Sequence, residues 1–138
     1  MRCAAASPGA RACCGGCAEY ASVTLAPALG LPPELPGGPA ADLGSRQLWW
    51  IMTVLATGAG LAGMIALPGW ALKLLSAILL VLPHLVGAPR APVAQTGVPQ
   101  ELARSFALGS LGISLVLWLM LGTLTAVLTE RFARRRTR

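Results

Sequence analysis

Acidic side chains are scarce in this chain: Asp and Glu number 5 in 138 residues, against 11 Lys and Arg. Histidine occurs once, as His84, and no cysteine follows residue 17. Nucleophilic or acid–base catalysis needs a reacting group, a base and a residue that orients the base. One imidazole and five carboxylates, mostly outside the apolar runs, do not supply such a set, so no enzyme is expected. No glycine-rich phosphate loop with its lysine is present, which removes ATP-driven work by this chain alone. Charged residues make up 12% of the chain, about half the share in an ordinary soluble domain. The first twenty residues contain no apolar core of the kind a secretory signal requires.

What the chain has is apolar length. Hydrophobic residues make up 55%, and the mean hydropathy is +0.67. A globule this small cannot hide so much apolar surface from water. A span needs about 20 mostly apolar residues. Residues 47–67, QLWWIMTVLATGAGLAGMIAL, carry no charge. Residues 70–88 hold Lys73 near one end and His84 near the other. Residues 106–129 are again uncharged. A candidate fourth segment, 13–31, is interrupted by Glu19, Pro27 and glycines; a span, a re-entrant piece or a damaged helix each fit it. Backbone at membrane depth must satisfy its own hydrogen bonds, so these segments read as helices. The expected fold is an all-α integral membrane protein with three transmembrane helices and a candidate fourth.

The connections agree. Pro68-Gly69 predicts a tight turn and an antiparallel hairpin. Asp42 is placed to cap the helix entering at Gln47. Pro99 suits the first turn of the last helix, with Glu101 favouring its dipole. Five of the eleven cations lie in the last eight residues, RFARRRTR. With that tail in the cytoplasm and the fourth segment spanning, the inner side holds Arg2, Arg11, Lys73, Arg131, Arg134, Arg135, Arg136 and Arg138. The outer side holds Arg46, Arg90 and Arg104. Eight against three follows the positive-inside rule, so the charge reports topology and not a nucleic-acid partner. Trp49 and Trp50 then belong at the outer interface and Trp70 at the inner one. Lys73 reaches inner headgroups by extending its stem.

Few side chains carry coordination chemistry. Cys14-Gly-Gly-Cys17 supplies two thiols without a second pair, which fits an accidental spacing better than a metal or redox site. His84 follows Pro83 at the outer end of its span. It is a candidate metal ligand, and a histidine bonded between helices or facing headgroups is the alternative. Glu34 and Asp42 lie in the stiff loop LPPELPGGPAADLG; they are candidate oxygen ligands for an outer-face cation, or solvated acids of a turn. Gly58, Gly60 and Gly63 with Ala56 and Ala59, and Gly109, Gly112 and Gly122, form small-residue faces that allow close helix packing and give a homo-oligomer some prior. Met52, Met64 and Met120 read as lipid or core contacts, and Trp118 as a contact to another helix.

Four strings, LAPALGLPPELPG, PAADLGSRQLWW, LPHLVGAP and VPQELARSFALGSL, occur here in order. Together they resemble the C-terminal part of the CbtA family of predicted cobalt transporter subunits, over about residues 21–132. The resemblance implies a multi-pass inner-membrane subunit linked to cobalt uptake for cobalamin synthesis. It implies Co²⁺ as transported ion, no permanently bound cofactor, and a small single-span partner, CbtB-like, that carries histidines. It also implies a chain shortened at its N-terminus, with residues 1–20 an atypical cysteine-rich segment and 133–138 a basic cytoplasmic tail. Metal ligands are expected at His84, Glu34 and Asp42. A non-transporting scaffold for a partner, or an inactive transporter fragment, is the alternative.

Overall fold

The first helical stretch follows from how the chain accommodates Pro27. In the computed structural model, which describes residues 8–35, 41–90 and 99–136, α1 runs over Pro8–Glu19. It continues without a break into a π-helical turn, Tyr20–Leu25, and then α2, Ala26–Gly30. Pro27 has no N–H to give, and its ring collides with a carbonyl four residues back in an α-helix. The π turn widens the helix immediately before it, and the Ala26 N–H bonds back to the Ala21 carbonyl, five residues away. The candidate fourth segment, 13–31, is therefore helical as far as Gly30.

The hairpin is as the turn residues require. Helix α3 covers Leu43–Ala66 and α4 covers Trp70–Val86. The link between them turns at Gly69, where φ is +86°, a conformation costly for any residue with a Cβ. Asp42 caps α3: its Oδ2 accepts from the Ser45 backbone N–H at 2.9 Å and from Ser45 Oγ at 3.1 Å. Inside α4, Pro83 leaves the Leu79 carbonyl without its usual donor, and the helix ends one turn later at Gly87, φ +84°. Helix α5, Gln100–Arg136, is one piece of 37 residues, about 55 Å at 1.5 Å per residue. The Leu102 and Ala103 N–H groups bond to the Pro99 carbonyl at its start.

Every element among the described residues is a helix. Two of them, α3 and α5, are long and apolar enough to cross a membrane; α4, with 17 residues, is a shorter apolar helix. At about 26 Å it falls slightly short of the hydrocarbon thickness of about 30 Å. Of the three spans expected from the sequence, two are helices long enough to cross and the third is a shorter apolar helix.

Packing joins two helix pairs. Helix α1 lies along α5, α3 lies along α4, and the π turn touches both α3 and α5. The Trp118 indole N–H donates to Thr24 Oγ1 at 2.9 Å across that junction, so Trp118 does face another helix. Apart from Trp49, the buried side chains are mostly small and often polar: Ser22, Thr53, Thr57 and Ser76 are buried, while Leu, Ile, Val and Met crowd the exposed surface. This reverses the usual distribution of a soluble protein. Three of these hydroxyls bond the carbonyl four residues back on their own helix, Ser22 to Ala18, Thr53 to Trp49 and Ser76 to Leu72, which satisfies them without water.

Small residues set the approach distances, though not all the expected ones. A Cβ at Gly60 would meet Leu80, and one at Gly63 would meet Ser76. Gly58, Gly109 and Gly112 have nothing within contact distance, and Ala59 is exposed. The α3 packing face is Trp49, Thr53, Thr57, Gly60 and Gly63. On α1 it is Gly16, whose added Cβ would lie 2.6 Å from the Trp118 carbonyl oxygen.

Candidate functional site

The N-terminal end of α3 and the C-terminal end of α4 lie side by side because the hairpin is antiparallel. The chain leaving α2 crosses the same end. Between them is a cavity of about 530 Å³ lined by residues of all three, among them Glu34, Trp49, His84 and Arg90. Glu34 and His84, two of the three residues grouped in the sequence reading, share this lining.

Each is held by a recognisable local cause. Pro83 sits in the last turns of α4, and His84 follows it just before the Gly87 stop. Its imidazole meets the Trp49 ring edge to face, with centroids 6.1 Å apart and planes at 70°, a favoured aromatic arrangement. Glu34 follows Pro32-Pro33, and its Oε2 is 3.3 Å from Arg46 Nη2 on the first turns of α3. That pair ties the segment after α2 to α3.

Asp42 lies elsewhere. It does not line the cavity, and its carboxylate is engaged by Ser45. The Ser45 backbone N–H, then the Ser45 hydroxyl, hold its carboxyl below the usual carboxylate range. Cys14 and Cys17 are exposed thiols outside the cavity; Cys3 lies outside the described residues. Met52, Met64 and Met120 are exposed on the apolar surface. Among the described residues no three His, Cys, Asp or Glu side chains gather closely enough to hold a metal ion. The chemistry present is one imidazole, one carboxylate already paired with a cation, and a second cation, Arg90.

The family comparison says which family the chain belongs to. The model of the CbtA family, described as a probable cobalt transporter subunit, matches residues 1–130. The chain is a member of the CbtA family. This match begins at residue 1, so it takes in the cysteine-rich segment that the resemblance over 21–132 had left out. Comparison with curated proteins and with solved structures found no match. A CbtA chain is thus a transporter subunit, which implies partners and a membrane setting, and its two long apolar helices accord with that.

Two residues lining this cavity of the CbtA chain escaped the sequence reading. Trp49 was expected at the membrane interface, and it is 8% exposed, packed beneath Gly30 and against His84. Trp50 beside it remains on the surface at 41%. The signal was present: Trp49, Thr53 and Thr57 recur every four residues and so share one helix face. Arg90 was counted only as a topological charge.

Proposed function

We propose that this chain is the membrane subunit of a cobalt uptake permease, receiving Co²⁺ at its outer face and supplying it for cobalamin synthesis. The observation that carries the reading is the meeting of Glu34, from the stretch after α2, and His84, from the end of α4, on one cavity. A site with few ligands suits transport, where binding must be weak enough for release.

In this reading the bundle sits in the inner membrane with the arginine-rich end of α5 in the cytoplasm, as the eight-to-three charge bias supports. Helix α4 crosses in spite of its length, with Lys73 extending to inner headgroups, and the stretch from α1 to α2 crosses as a fourth span. The cavity then opens outward. His84 lends a transient nitrogen ligand and Glu34 an oxygen. Asp42 adds negative charge at the same surface while remaining a cap. The chain performs no covalent chemistry and holds no resident cofactor. A histidine-bearing single-span subunit, CbtB-like, supplies the remaining donors, since cobalt takes several N or O ligands and affinity alone does not separate it from nickel.

The test is cell-associated cobalt and nickel in the native host, with the gene deleted and then restored. Cobalt lost on deletion and recovered only with the wild-type gene is the expected result. Unchanged cobalt on deletion, with the protein present in the parent membrane, would replace the permease with a non-transporting scaffold or an inactive fragment.

A further inference from the structure

Two helices end on the cavity with their C-termini. The last turn of α2 reaches it at Leu29 and Gly30, and the chain leaving α4 reaches it at Gly87 and Ala88. The last four carbonyls of an α-helix have no donor within the helix. Here the sequence also removes donors that could follow. At α2 the Leu31 N–H goes to the Pro27 carbonyl at 2.8 Å. The carbonyls of Ala28 and Leu29 would look to residues 32 and 33, both prolines without an N–H. At α4 the Gly87 N–H goes to the Pro83 carbonyl at 3.0 Å, and Gly87 then turns the chain away at φ +84°. Leu85 would look to Pro89, again without an N–H. Proline thus keeps carbonyl oxygens open at both helix ends.

Charge and size point to the same kind of occupant. Among the lining side chains Glu34 and Arg90 cancel, −1 + 1, while Arg46, bonded to Glu34, stands outside the lining. Each helix C-terminus adds about −0.5, so the cavity favours a cation. Oxygens spread around 530 Å³ cannot all close on a bare ion. Six waters at about 30 Å³ each fill about 180 Å³ and fit with room to move. Waters bound to a cation turn their O–H groups outward, so such a shell is all donor, and carbonyl and carboxylate oxygens only accept.

Resting on the permease reading above, we propose that the cavity receives a divalent cation inside its water shell, held by the carbonyl oxygens at the ends of α2 and α4. The coordinated waters donate to those oxygens and to Glu34. The His84 imidazole enters the shell afterwards, and one water leaves for it. Arg90 repels the charge from the same lining and keeps the hold loose.

Hexaamminecobalt(III) is the probe: a substitution-inert cation that presents N–H donors in place of the waters and cannot bind His84 directly. In the native host, gene-dependent uptake of labelled Co²⁺ is measured over a concentration series with and without it. A raised half-saturating concentration at unchanged maximal rate is expected. Tris(bipyridine)cobalt(III), of equal charge but without N–H groups, should not reproduce the effect. Arg90→Gln should lower the inhibiting concentration up to about fivefold. Pro33→Ala, which offers Leu29 a donor, should raise it, with both proteins quantified in the membrane. Gene-dependent uptake untouched by the hexaammine, or slowed equally by the bipyridine complex, would overturn hydrated entry and leave the permease standing. No gene-dependent uptake at all would overturn both.

Discussion

Arg46 Nη2 stands 3.3 Å from Glu34 Oε2, so the carboxylate best placed to meet a cation is already held by one. Both side chains are partly exposed, at 29% and 35%. Such a pair contributes under about 1 kcal/mol. Arg46→Gln therefore leaves the fold intact and frees the carboxylate. Apparent affinity for uncomplexed cobalt should rise, by no more than about fivefold, in a concentration series of uptake rates. An unchanged half-saturating concentration would mean that Glu34 does not meet the ion.

His84→Ala should remove most cobalt uptake with the protein still in the membrane. His84→Gln keeps a polar group of similar reach and loses imidazole coordination, so it should resemble the alanine variant. Cell-associated cobalt in the complemented deletion strain reads both. Full activity in His84→Gln would assign the histidine a hydrogen-bonding role.

Asp42 separates capping from cargo. Its carboxyl titrates below its ordinary value because the Ser45 N–H binds the charged form. The folded state thus favours the carboxylate. This stability is present above the unfolded value near 3.8 and is lost as pH falls through the lower folded one. Asp42→Ala should lower the thermal midpoint at neutral pH, with the gap to wild type closing in strong acid. Asp42→Asn, which can still cap, should keep both midpoint and uptake near wild type. A large uptake defect in Asp42→Asn would return this residue to the metal path.

The hairpin makes a paired prediction about glycines two residues apart. Gly60→Ala sets a Cβ against Leu80, whereas Gly58→Ala enters open space. The first should cost about 1–3 kcal/mol as overpacking; the second should be neutral or slightly stabilising, since alanine favours helix. Thermal midpoints of the two proteins in the same detergent check this. Equal midpoints would place the α3–α4 contact elsewhere.

Local signals were readable wherever chemistry is local. The Asp42 cap, the Pro68-Gly69 turn and the three apolar helices follow from neighbouring residues alone. So does the pairing of Trp118 with another helix, because an indole N–H in mid-span needs an acceptor. Which glycines would face a partner did not follow: Gly58 and Gly60 have the same residue type, and only the rotation of α3 against α4 separates them. The burial of Trp49 was missed for a related reason. An aromatic near a helix end suits a membrane interface or a buried cavity equally, and Gly30, which makes room for it, lies in a different helix. The grouping of Glu34 with His84 was legible from the outer-face topology, but the exclusion of Asp42 from their cavity depends on how the ends of α2 and α4 meet the start of α3.

The π turn at Tyr20–Leu25 also fixes a phase. An α-helix advances about 100° per residue, so a turn that houses one residue more sets the rotational offset between everything before it and everything after. Gly16 meets the Trp118 backbone on one side of that turn, and Thr24 meets the Trp118 indole within it. Wound as regular α-helix, the same residues would set Gly16 and Thr24, eight apart, about 80° from each other around the axis. The irregular turn is what lets one helix keep two appointments with the same tryptophan.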